Sequence, residues 1–147
     1  MDSLTGALAL HVAEEAPGFA AWARRNTWAG YSDRDFVAIN ASGLALTAFA
    51  GAAVRREPRL FALWYAGIVS QQLLWNPVFH VGTTIAYGEY SPGLVTALAF
   101  FPALWWRETR RALRAGQLSH RSAAAAAVAG GLIHLAAIRK QVYGRSL

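Results

Sequence analysis

"LFALWYAGIVSQQLLWNPVFHVGTTIAYG", residues 60–88, runs for 29 positions without a charged side chain. A soluble amphipathic helix shows charge on its outer face about every turn. A helix crossing a bilayer instead needs about 17–25 mostly apolar residues. The stretch therefore reads as a membrane span. Fully helical, it would measure about 43 Å against a hydrocarbon core of ~30 Å. The helix is accordingly expected to end near Gly82 to Thr84, with "AYGEYSPG" (86–93) as a loop.

Working outward, Phe36 to Val54, Tyr90 to Trp106 and Ser122 to Ile138 are also free of charge, and "SLTGALALHVA" opens the chain with a shorter apolar run. Together these runs predict an all-α integral membrane bundle of about five transmembrane helices. Their expected ranges are about 3–24, 36–54, 60–84, 92–107 and 119–140, in a single membrane domain over 1–147. Pro17-Gly18 should kink or break the first helix, and Ser32 or Asp33 can cap the second. Charged residues make up 15% of the chain, short of the roughly one quarter usual in soluble proteins.

The net charge of +6 comes from arginines gathered between the apolar runs. No basic helix face with interleaved aromatics is present, so no nucleic-acid partner is expected. The expected surroundings are the lipid bilayer of the cell membrane, crossed several times. The Ala/Gly-rich helix faces would permit a homo-oligomer. No cysteine is present, which excludes disulfides and thiolate metal sites, and no removable leader is read at the N-terminus. Arg55, Arg56 and Arg59, with Arg107, Arg110, Arg111, Arg114 and Arg121, outnumber Arg24, Arg25, Arg34, Arg139, Lys140 and Arg145. The balance puts the N-terminus in the cytoplasm.

The costly polar residues of these apolar segments follow a pattern. With alternating spans, His11, Glu14 and Glu15 lie toward the end of helix 1 that faces the 86–93 loop. Asn40 begins helix 2 on that side, and Asn76 and His80 end helix 3 there. Tyr90 lies in the loop, and His134 is about two-thirds along helix 5, running the same way. Ionisable groups inside a bilayer cost about 2.5–3.5 kcal/mol each and normally mark a function. Residues three and four apart share a helix face, so His11 shares one with Glu14 and Glu15, and Asn76 shares one with His80. Pro77 between them can free a backbone carbonyl. Imidazoles with carboxylate oxygens suit a divalent transition metal, zinc or iron. His120, at the basic opposite end, reads as an interfacial residue.

"HVAEE" at 11–15, His80 in a later apolar helix and "YSPG" at 90–93 together resemble the HXXEE family of small bacterial multi-pass membrane proteins. The resemblance covers roughly Leu8 to Trp106. It implies about five spans and a membrane protein, with His11, Glu14, Glu15, His80, Tyr90, Pro92 and Gly93 at family positions, but it supplies no substrate. Two other patterns fit less well. Prenyl-protein proteases require an arginine four residues beyond the glutamate pair, where Phe19 stands. Ceramidase-type hydrolases bring three histidines to one zinc, as His11, His80 and His134 would, but in about seven spans.

The expected site then has His11, Glu15, His80 and His134 as metal ligands. Glu14 or Glu15 is the general acid or base and Tyr90 a phenolic donor. Asn40, Asn76, Ser91, Pro92 and Gly93 form the surrounding wall. Such a site belongs to a metal-dependent membrane enzyme, a hydrolase or other modifying enzyme of a lipid-soluble substrate. The competing reading is a non-catalytic protein that binds or transports protons or a cation through the same cluster.

Overall fold

The computed structural model describes residues 3–144, so Arg145 of the basic tail lies outside the described residues. Those residues form helices joined by short turns, with no strand among them. The helix expected over 3–24 is in fact two, α1 (Ser3–Glu15) and α2 (Phe19–Asn26). Pro17 has no N–H for the Ala13 carbonyl, and the Gly18 N–H turns back to the Glu15 carbonyl at 3.0 Å. α3 (Asp33–Arg56) outruns its expected 36–54 at both ends. A capping box starts it: the Asp35 N–H donates to Ser32 Oγ at 3.1 Å, and the Ser32 N–H donates to the Asp35 carboxylate at 2.8 Å.

The decisive run 60–88 becomes α4, a continuous helix over 61–87 that changes its winding twice. Phe61–Trp64 is α-helical, Tyr65–Trp75 is π-helical, and Asn76–Tyr87 is α-helical again. The wide winding ends two residues before Pro77. In a regular α-turn that ring would strike the Leu73 carbonyl, to which it has no N–H to give. α4 does not end at 82–84 as expected. A single Gly82 costs a helix only about 1 kcal/mol, and termination waits for Gly88, which adopts a left-handed φ of 65°.

α5 (Leu94–Arg114) also runs past its expected end at 107, so most of the arginine-rich segment is helical. Arginine is a good helix former, and Arg111 and Arg114 suit the negative end of the helix dipole. α6 (His120–Gln141) starts from a capping box between Ser119 and Ser122, close to the expected 119–140.

α6 packs along the π-wound part of α4, which α5 also flanks, while α1 lies against α3 and α5. Two glycines bring α6 close. A Cβ on Gly130 would stand 2.7 Å from Ser70 Cβ and 2.9 Å from the Ala66 carbonyl oxygen, and one on Gly131 would stand 2.7 Å from the Trp75 ring. The Trp75 indole N–H donates to the Ala127 carbonyl at 2.8 Å across the same seam. Gly130→Val is expected to destabilise the bundle by about 1–3 kcal/mol, read by thermal unfolding. An unchanged midpoint would mean the seam is looser than this.

Asp33–Arg56 and His120–Gln141 are long and apolar enough to cross a membrane. α1, with 13 residues, is about 20 Å long and too short to cross alone. α3 buries only Phe36, Thr47 and Gly51, and leaves Val37, Leu46 and Phe49 exposed.

Candidate metal centre

His11 and Glu15 stand one turn apart on α1, and His80 faces them from the last segment of α4. Both imidazole Nε2 atoms lie 3.5 Å from the same oxygen, Glu15 Oε1. All three residues are buried, and one ligand atom from each falls within 4.8 Å of the others. Atoms about 2.0–2.1 Å from one tetrahedral ion lie about 3.3–3.4 Å apart, so the two 3.5 Å separations suit a shared ion. The Nε2 atoms of His11 and His80 are buried without a hydrogen-bond partner, which is costly unless something binds them. This donor set could hold a metal ion.

The outer nitrogens of the two rings are held by hydroxyls. Ser91 Oγ meets His80 Nδ1 at 2.9 Å and Thr96 Oγ1 meets His11 Nδ1 at 3.0 Å. Thr96 has one hydroxyl proton, and the acceptors for it are Glu14 Oε2 at 2.5 Å and, farther off, the Gly93 carbonyl at 3.3 Å. Its oxygen is therefore left to accept from His11 Nδ1–H. That puts the lone pair on His11 Nε2, the tautomer a metal ligand needs. Thr96→Val is expected to weaken metal binding about 10–100-fold while Thr96→Ser keeps it. Competition with a chromophoric chelator reads the difference, and equal affinities in the two variants would remove Thr96 from this role.

The adjacent glutamates therefore do different work. Glu15 faces the imidazoles. Glu14 accepts from the first-turn amides of α5, Thr96 at 2.7 Å and Val95 at 3.1 Å, and from the hydroxyls of Thr96 and Tyr90. Burial, and then the Glu14 carboxylate to which it donates, raise the Tyr90 phenol above its ordinary pKa. Tyr90 is half exposed and braces Glu14, while the buried Ser91 and Pro92 lead the chain into Gly93. Gly93 covers the centre at φ 102°. A Cβ there would stand 2.6 Å from His11 Cε1, 2.8 Å from His80 Cε1 and 2.9 Å from Glu15 Cγ.

Beside these three residues lies a cavity of about 510 Å³, walled by α1, α3, α4 and α6. Asn40, Asn76 and His134 line it, and all three stand outside the close set. Asn40 donates to the Phe36 carbonyl at 3.1 Å. The Gln71 amide nitrogen, which can only donate, meets His134 Nδ1 at 3.0 Å. Sequence reasoning missed Thr96, Gln71, Gln72 and Tyr31. Two adjacent amides inside a charge-free run were a usable signal for the glutamines. Tyr31, in the loop before α3, lines the cavity, and burial, then the Glu15 charge, raises its pKa. No comparable signal marked Thr96, since a lone threonine is ordinary in an apolar helix.

These features define an all-α protein with a buried His/Glu set able to hold a metal ion. The chain belongs to the family described as "Protein of unknown function with HXXEE motif", whose model matches residues 4–107, and His11, Glu14 and Glu15 supply the motif. No curated protein and no solved structure matches it.

Proposed function

We propose that this chain is an integral membrane enzyme with one divalent metal ion held by His11, Glu15 and His80, acting as a hydrolase or other modifying enzyme on a lipid-soluble substrate. The observation that carries the reading is the buried Glu15 carboxylate between two unpartnered Nε2 atoms. Among the described residues no lysine or arginine lines the cavity to neutralise it, and a buried carboxylate stays ionised only with a cationic partner.

A bound metal would supply Lewis-acid polarisation. The chain's own residues do the rest. Thr96 and Ser91 hold the two rings, and Glu14 fixes Thr96. Glu15, as the lining carboxylate, would hold the ion on the cavity side. The membrane setting is supported by α3 and α6, which are long and apolar enough to cross, and by the apolar side chains α3 leaves exposed. In this reading α3, α4, α5 and α6 span, and α1 with α2 forms a broken fifth span that ends at the centre.

Elemental analysis of the purified, folded chain tests the proposal. One equivalent of zinc or iron per chain is expected. A folded protein that carries none and binds none from micromolar buffers returns the cluster to the competing reading of a proton or cation binding site, for which proton flux in liposomes is the measurement.

A further inference from the structure

We propose that the cavity opens sideways into the bilayer, between α3 and α6, and that it admits an uncharged amphiphile whose hydroxyl or amide end seats beside Glu15. The inference rests on the membrane reading above and names the substrate class for that same centre.

The rim gives the direction. Leu46 of α3 and Ile133 of α6 both line the cavity, and they remain 57% and 46% exposed. An exposed lining residue stands at a mouth, and these two fall near the middle of the two helices apolar enough to cross a membrane. Ala38, Ser42 and Gln141 are exposed lining residues as well, so the mouth runs along the seam between α3 and α6 from the helix ends to this mid-depth, where it meets acyl chains. Small residues keep it open. Gly43 on α3 and Gly67 on α4 line the cavity, and a Cβ built on either meets no atom within 4 Å. The volume of about 510 Å³ lies in the range of small-ligand sites, about 300–1,000 Å³.

The floor selects the class. Among the described residues Glu15 is the one carboxylate in the lining, no lysine or arginine joins it, and Asn40, Gln71, Gln72 and Asn76 are neutral. A phosphate or carboxylate headgroup could pair only with the ion itself, since no lysine or arginine among the described lining residues would hold the rest of its charge. A bare hydrocarbon would leave the carboxamides unsatisfied. A hydroxyl or amide both donates and accepts, which matches carboxamides that do the same.

The test uses the full chain in nanodiscs with diazirine-bearing probes of one chain length: tetradecanol, N-tetradecylacetamide, tetradecyl phosphate and tetradecane. Cross-links are mapped by mass spectrometry, and metal is measured on the same samples. The alcohol and amide are expected to label residues 38–46 and 133–138 about tenfold more than the phosphate or the alkane does. That labelling should fall about tenfold in Gly43→Phe and in Gly67→Phe, which fill the opening where the backbone leaves room, with metal content unchanged. Excess unlabelled tetradecanol should suppress it in the wild type. Labelling by the phosphate or the alkane at the level of the alcohol overturns the proposal. So does labelling that persists in both variants, or that spreads evenly onto the exposed Val95 and Leu98 face of α5. Site-specific labelling of a chain without metal would leave the portal standing and overturn the metal centre instead.

Discussion

Purified His80→Ala is expected to carry background metal where the wild type carries one equivalent, with affinity reduced by more than about 100-fold, beyond the cost of losing an outer partner. The geometry gives the reason. Only two imidazoles reach Glu15 Oε1, each at 3.5 Å, and without His80 the ion would keep one nitrogen and one carboxylate from the chain. The controls separate ligation from general damage. His134→Ala removes a buried imidazole from the same cavity but from outside the close set, and is expected to keep its metal. Ser91→Ala removes the hydroxyl on His80 Nδ1 and is expected to weaken binding about 10–100-fold without abolishing it. Equal metal loss in His80→Ala and His134→Ala would show that the ion sits deeper in the cavity than the three ligands place it.

Gly93→Ala is expected to damage the fold and the metal site together. Its Cβ would stand within 3 Å of both ligand imidazoles and of the Glu15 side chain, at a φ of 102° that L side chains rarely adopt. Backbone strain and overpacking together cost about 2–5 kcal/mol, which lowers Tm by about 5–15 °C. Relief requires the ligands to part, so metal should be lost as well. Gly88→Ala is the matched control. Its φ of 65° carries the strain, but nothing lies within 4 Å of the added carbon, so a cost of about 1–2 kcal/mol with metal retained is expected. If the two variants behaved alike, the loop would not lie as close over the ligands as described.

The sequence and the structure agree most where one strong effect dominates. A 29-residue charge-free run has few ways to exist except as helix, and the expected back-and-forth of helices put His11, Asn40, Asn76, His80 and His134 near one another, as the cavity they line does. Spacing could not divide the labour of Glu14 and Glu15, because i+3 and i+4 are both neighbours of His11 on a helix. Which one turned inward depended on α5, whose first-turn amides capture Glu14. The end of α4 was misplaced for a similar reason. The expected limit came from bilayer thickness, whereas the chain stops only where Gly88 lets it. The π winding of Tyr65–Trp75 leaves no compositional trace, since it arises from accommodation among Pro77 and the neighbouring helices.

The hold of Glu14 on α5 has a bearing on biogenesis. Gly93 offers α5 no capping side chain of its own, so the start of that helix is capped from another, by a residue made 82 positions earlier than its Thr96 partner. During synthesis the turn that carries His11, Glu14 and Glu15 precedes α4 and α5, and it lacks His80, Ser91 and Thr96 until they follow. Nascent chains truncated before Thr96 should therefore leave this turn uncovered, and its burial becomes a late step in assembly.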